Sequence, residues 1–353
     1  MTLVADRARH AGATLLGLPL LLICTACAGS AGSIEIGGPT MGTRWSIRFS
    51  PNGQTTLDER ARENLDREAR DVLARIEGLM STWDEDSELS RFNRSRSIEP
   101  FPVSAETFDV FRWAVALAGE TDGAFDVTVL PLVEAWGFGA AGKADGAPPD
   151  AAALAALRAS VGIEHVDLDP DGQWVRKRRP DLQCDFSGLA PGYAADALAA
   201  LLEDRALRDF LIDVGGELVA RGRNAEGLPW QIAVEQPDGL QRRVARVVPL
   251  TNMAIATSGD YRNYREVAGE RIAHLVDPRT GTPIRHRLAS VTVIDQAGVR
   301  ADALATALMV LGPDDGMAFA RRLDLAALFI VRTSEGRFDQ LVTPRFEALA
   351  GTT

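Results

Sequence analysis

Cysteine is nearly absent from this chain of 353 residues: Cys24, Cys27 and Cys184 are the only three, and only Cys184 lies beyond the first thirty positions. A mature chain with one thiol cannot close an internal disulfide, so its fold must rest on its core even in an oxidising compartment. Cys184 itself reads as a small buried residue beside a strand end. Histidine is also scarce. His10, His165, His274 and His286 show no H-E-x-x-H or comparable ligand spacing, which argues against zinc chemistry. The G-x-S-x-G elbow of a serine hydrolase is missing, and Ser258 stands instead in T-S-G-D. Lys and Arg number 38 against 49 acids, a formal charge of -11, and they are scattered, so the chain lacks the basic patch that nucleic acid requires. An anionic ligand must be met locally.

Long apolar runs are missing too. The main candidate, 15–24, is shorter than the roughly 20 residues of a spanning helix and is interrupted by Pro19. Arg7 and Arg9 precede it and the small residues Ala26, Ala28 and Gly29 follow, the pattern of a secretory signal over 1–30. Cys27 follows Thr25 and Ala26 where lipoprotein precursors carry their acylated cysteine, although Cys24 occupies a place usually held by an aliphatic residue. Export is therefore expected, either as a lipoprotein on the periplasmic face of the inner membrane or as a soluble periplasmic protein. Residues 31–353 are expected to form the functional unit, large enough for one big domain or two packed lobes.

What is present is ordinary globular composition, 46% apolar and 25% charged, which excludes disordered and fibrous classes. Alternation at Trp45, Ile47 and Phe49, after Gly37, Gly38 and Pro39, predicts a strand pair or bent strand over 34–50. Leu65, Ala69, Val72, Ile76 and Leu79 recur at helical spacing. Further helices are expected from Ser104, carrying Phe108, Phe111, Val115 and Leu117, between Pro149 and Gly162, and over 193–202. Strands are expected at 210–214, 217–220, 230–234, 244–250 and 271–276. Helices at 301–311 and 314–322 and a strand at 327–331 complete the chain. Without regular βαβ alternation or a short repeat, the class is α+β rather than a doubly wound parallel sheet.

Gly137, Gly139 and Gly142 spell G-x-G-x-x-G, and with Lys143 they approach a P-loop. Ala144 replaces the magnesium-binding Ser or Thr, and Asp145, Gly146, Pro148 and Pro149 follow where a helix should start. A loop is the better reading. Asp302 and Thr306, four apart in an apolar helix, share a face and offer hard oxygen donors of the kind magnesium takes. The same pair could instead cap the helix and bond back to a carbonyl. The segment Asp185-Phe-Ser-Gly-Leu-Ala-Pro-Gly-Tyr-Ala-Ala-Asp196 runs from a small-residue loop into a helix, either a cradle whose amides meet phosphate or an ordinary tight turn. In Ala273-His-Leu-Val-Asp-Pro-Arg-Thr-Gly-Thr-Pro283, His274 sits at a strand end as a candidate general base or a structural imidazole.

These segments, with Met41-Gly-Thr43, residues 81–93, Gly123-Ala-Phe-Asp-Val-Thr128, residues 131–138, Asp213-Val-Gly-Gly-Glu217, Thr257-Ser-Gly-Asp-Tyr261 and residues 301–312, resemble the ApbE family of FAD:protein FMN transferases in order and over nearly the whole mature chain. The resemblance implies a mixed α/β fold of two intimately packed lobes with flavin in the cleft between them. It implies Mg2+ held by Asp302, Thr306 and the carbonyl of Gly188, and FAD lined by Met41, Trp83, Ala124, Phe125, Asp126, Asp185, Pro191 and Val276. His274 would activate the Thr or Ser hydroxyl of an acceptor protein, AMP being the leaving group. One departure stands out: many relatives carry Lys where this chain has Pro191, which removes a cation and an amide hydrogen near the substrate. Two other readings remain: an FAD pyrophosphatase with water as acceptor, and a non-catalytic surface flavoprotein. Packing around the flavin or within the core is open for Trp83 and Phe125.

Overall fold

The computed structural model describes residues 34–50, 57–142, 147–238, 243–260, 264–267 and 270–351. The segment 1–30 read as a signal, with Cys27, and Lys143 and Ala144 lie outside them. Eight strands form one antiparallel sheet in the spatial order Ile34–Thr40, Thr43–Phe49, Phe210–Val214, Glu217–Arg221, Met253–Gly259, Leu288–Asp295, Ala326–Arg332 and Phe338–Val342. Among the described residues eight helices accompany it: α1 (Glu59–Met80), α2 (Glu88–Arg94), α3 (Ala105–Glu120), α4 (Leu130–Ala135), α5 (Ala151–Arg158), α6 (Ala190–Asp204), α7 (Gly298–Arg322) and α8 (Pro344–Ala350). Helices gathered against an antiparallel sheet make the α+β class expected from the sequence.

Period-two alternation sends successive side chains to opposite faces, and the strands Leu288–Asp295 and Ala326–Arg332 are buried on both. Ala254, Ala256, Val291, Val293, Ala327 and Phe329 enter the larger core with α1, α3, α6 and α7. Ile255, Ile294, Leu328 and Ile330 enter a second core under α8 and the hairpin of Trp230–Glu235 with Val244–Leu250. Leu132, Trp136, Ile272 and Val276 form a third, smaller core. It belongs to a lobe set beside the main body, with the cleft between.

The N-terminal segment is a strand pair whose turn, Met41 and Gly42, has φ of 46° and 68° at both central residues, the requirement of a tight hairpin turn. Ser104 caps α3 by accepting from the Thr107 amide, and Asp150 caps α5 through Ala153, so both expected starts hold. Helix α6 starts three residues earlier than expected, at Ala190, which places Pro191 in its first turn where a missing amide hydrogen is tolerated. The two C-terminal helices join into α7 across a kink at Gly312, φ 82°. Pro313 offers no amide to the Met309 carbonyl, and His286 Nε2 donates there instead at 2.7 Å.

Two differences matter for the site. The two central strands, Met253–Gly259 and Leu288–Asp295, were not among those expected, because strands buried on both faces carry no polar alternation. The strand expected over 271–276 is not continuous: Glu270–Ala273 pairs with Tyr264–Val267, the ladder ends, and Val276–Asp277 pairs separately with Thr282–Pro283. The break falls at His274 and Leu275.

Candidate functional site

A cleft of about 810 Å³ separates the main body from the smaller lobe. The body contributes Asp302, Thr306 and Val310 from α7, Gly188 and Pro191 from the start of α6, and Glu217, Thr257 and Ser258 from the sheet. Ala124, Phe125, Asp126, the glycine turn after α4 and the His274–Val276 break also line it. All the sequence-selected site residues line this space except Met41, which sits half-buried in the first hairpin turn against the main core.

Asp302 and Thr306 share a face of α7 as their spacing requires. Asp302 does not cap the helix; its Oδ2 accepts the Gly192 amide of α6 at 3.0 Å. Thr306 Oγ1 lies 3.3 Å from Ser258 Oγ. Gly188 is close to Thr306 and Phe125, since a Cβ there would stand 3.4 Å from Thr306 Oγ1 and 3.2 Å from the Phe125 ring. Burial pushes the Asp302 carboxyl up to about 7, with Asp196 adding to the shift and the Gly192 bond opposing it. Glu217 is raised well above the ordinary carboxylate range by burial, then by Asp302 and Asp213. Facing, desolvated acids create a demand for positive charge.

That demand suits a hard cation. Asp302 keeps one carboxylate oxygen beyond its bond to Gly192, Thr306 adds a hydroxyl, and the Gly188 backbone is close enough to add a carbonyl. An oxygen-only set with few protein ligands fits Mg2+, which retains water and substrate phosphate in its octahedron. Among the described residues, Arg265 is the one Lys or Arg lining the cleft, and it donates to the Trp136 carbonyl.

Most amides at the start of α6 are already committed within the protein. Ala190 N–H donates to Phe186 O, Gly192 N–H to Asp302 and Tyr193 N–H to Leu189 O, while Pro191 has none. Asp185 likewise holds its own loop, accepting the Ser187 amide and hydroxyl at 2.9 Å each. Asp126 accepts Thr128 N–H, Thr128 Oγ–H and Ile163 N–H, so its buried carboxylate is committed to binding loop to loop. Burial raises both carboxyls, and in Asp185 the charge of His274 pulls in the opposite direction.

The two aromatics divide. Trp83 is 75% exposed at the cleft, which excludes core packing and leaves an indole face for a ring ligand. Phe125, 5% exposed, belongs to the main core and supports Gly188 from behind. Ala124 and Val276 are buried wall residues. The glycine motif follows α4, with Gly137 N–H donating to Glu134 O, so it lacks the strand-to-helix setting of a P-loop. It nevertheless forms part of the cleft wall, a role the sequence reading did not assign. Glu217 and Ser258 were also missed, although both lie in short motifs beside glycine.

The ApbE family matches residues 41–329. The chain is 42% identical over 322 residues to the FAD:protein FMN transferase of Vibrio cholerae, covering 91% of this chain and 94% of that protein. It is 40% identical over 313 residues to the protein of that name from Escherichia coli K12, covering 88% and 87%. The solved flavinyl transferase ApbE of Pseudomonas stutzeri in its apo form superposes with a TM-score of 0.81 at 38% identity, covering 91% of this chain and 98% of that one. The flavin transferase ApbE of Vibrio cholerae superposes with a TM-score of 0.79 at 39% identity, covering 90% and 99%.

Proposed function

This chain belongs to the ApbE family, and from that premise we propose that it transfers the FMN moiety of FAD to a Thr or Ser hydroxyl of a target protein and releases AMP. We assign Mg2+ to Asp302, Thr306 and the Gly188 carbonyl. The observation that carries the reading is the convergence of these three with His274 on one cleft. When bound, the ion supplies positive charge to the bridging phosphates as the anhydride breaks.

The chain's own groups supply position and proton transfer. The acceptor oxygen bonds to the flavin-side phosphorus, the anhydride P–O bond breaks, and its electron pair leaves with AMP. The hydroxyl proton passes to an imidazole nitrogen of His274, which lines the cleft just past the end of a paired strand. Asp185 on the same cleft favours the imidazolium so formed, as their opposing charges require. Trp83 and the apolar wall at Ala124, Phe125 and Val276 bind ring faces and exclude water. The absence of a Lys at Pro191 increases reliance on the ion for charge neutralisation.

Incubation with FAD, Mg2+ and a co-expressed acceptor, read by mass spectrometry, should show an added FMN on Thr or Ser. Rapid AMP release without acceptor would instead establish hydrolysis, and unchanged FAD would remove catalysis altogether. The His274→Ala variant should bind FAD normally by calorimetry and transfer slowly. Loss of FAD binding in that variant would contradict its role as base.

Export is also part of the proposal, resting on the signal pattern of residues 1–30. Incorporation of labelled palmitate that Cys27→Ser abolishes would select the lipid-anchored form, and its absence the soluble periplasmic form.

A further inference from the structure

Helix α7 starts without a cap of its own, since Ala297 offers its first amides no side-chain acceptor. The neighbouring helix satisfies them. Asp196 of α6 accepts Gly298 N–H on Oδ1 at 2.8 Å and Val299 N–H on Oδ2 at 2.9 Å. In the reverse direction, the Gly192 amide of α6 donates to Asp302 of α7. Each helix therefore carries a G-x-x-x-D unit, Gly192 to Asp196 and Gly298 to Asp302, and each aspartate accepts from the glycine of the other.

Only glycine permits this exchange. A Cβ on Gly192 would lie 2.3 Å from the Gly298 carbonyl oxygen, and one on Gly298 would lie 2.7 Å from the Gly192 carbonyl oxygen. Backbone touches backbone, so the two helices cannot slide past one another without breaking both carboxylate bonds. A serine or threonine cap on α7 itself would satisfy amides but would not fix α7 against α6. An asparagine at 196 could accept only through its single oxygen and would turn an N–H2 toward the second amide.

Of the two aspartates, Asp302 lines the cleft and Asp196 does not. We propose that Asp196 is a positioning residue for Asp302: by holding the first turn of α7 against α6 it sets which Asp302 oxygen faces the metal ion and how Thr306 stands toward the Gly188 carbonyl. This inference rests on the metal assignment above.

The test uses Asp196→Asn and Asp196→Glu in the full chain, with Mn2+ as probe in the presence of FAD and the free-ion EPR signal as readout. Asp196→Asn should weaken Mn2+ binding by about 10- to 100-fold, as lost outer-shell support does at other metal sites. Gly298 and Val299 amides should exchange faster with solvent, while FAD affinity in metal-free buffer stays at the parent value. Asp196→Glu, which keeps both acceptor oxygens, should recover part of the Mn2+ affinity. If Asp196→Asn does not fold, Asp196→Glu carries the test, with weakened Mn2+ binding at unchanged metal-free FAD affinity expected. Parent-like Mn2+ binding in a folded variant whose amides have become exposed would overturn the proposal. So would metal and FAD affinity falling together, the mark of a merely structural role. Asp302→Ala separates the two levels: if it too binds Mn2+ like the parent, the metal assignment falls and takes the positioning role with it.

Discussion

Beneath α7 the sheet presents Ala254, Ala256, Val291 and Val293, whereas the same strands present Ile255 and Ile294 to the opposite face, where Leu328 and Ile330 join them under α8. On the α7 side Ala254 and Ala256 are small, α6 and α7 meet backbone to backbone at Gly192 and Gly298, and acids line the cleft beside them. On the far side larger aliphatic groups fill the interior, and charge stays at the margin, as in the pair of Arg246 with Glu347 at 2.9 Å. The α7 face bears the carboxylates of Asp302 and Glu217, raised by burial, whereas the core on the other is built mainly from aliphatic side chains. Chemistry is thus confined to one side of the sheet, at the cleft edge of the larger core, because desolvated acids that demand a cation are poor material for a core interior.

Exchanging one residue on each face breaks the comparison if it is wrong. The largest expected effect is on activity: Asp302→Ala should lower the transfer rate by on the order of 100- to 1000-fold, the scale of losing one charge-stabilising group. Its melting temperature should change little, since removal of a desolvated carboxylate offsets the lost bond to Gly192. Leu328→Ala on the other face should do the reverse, destabilising by about 2–5 kcal/mol in urea titrations while the folded fraction keeps parent turnover. A Leu328 variant that is stable but inactive would show that the two faces are not separable.

The smallest effect concerns the kink within α7. His286 donates through Nε2 to Met309 O, its Nδ1 is buried without a partner among the described residues, and burial pushes the imidazole below its ordinary value. The unfolded chain then binds the proton more readily in the window between the lowered value and about 6.5. Stability should therefore rise with pH through that window and decline as pH falls through it. His286→Gln should flatten the slope in pH-dependent thermal melts, and an unchanged slope would remove His286 as its cause.

The helical spacing of Asp302 and Thr306 was legible because side-chain direction in a helix follows from sequence separation alone. Ser104 and Asp150 announced their helices for an equally local reason. What stayed hidden depends on contacts distant in sequence. The committed amides of α6 escape a local reading because Asp302, which accepts from Gly192, is 110 residues away. Glu217 reads as the end of a Gly-Gly hairpin turn until the fold sets its charge against that of Asp302. Thr257 and Ser258 fall on a central strand whose alanines give no alternating signal, so neither the strand nor its approach to Thr306 could be read. Asp196 shares a G-x-x-x-D spacing with Asp302, yet the pattern acquires meaning only when the two helices touch.

The most direct measurement is a crystal grown with FAD and Mn2+, with the ion located by anomalous scattering. The account predicts one peak within about 2.0–2.2 Å of a free Asp302 carboxylate oxygen, Thr306 Oγ1 and the Gly188 carbonyl oxygen, the hard-ligand range of an octahedral site of this type. An ion bound in the cleft by Asp126 or Asp185, with Asp302 and Thr306 left in contact only with protein, would contradict it.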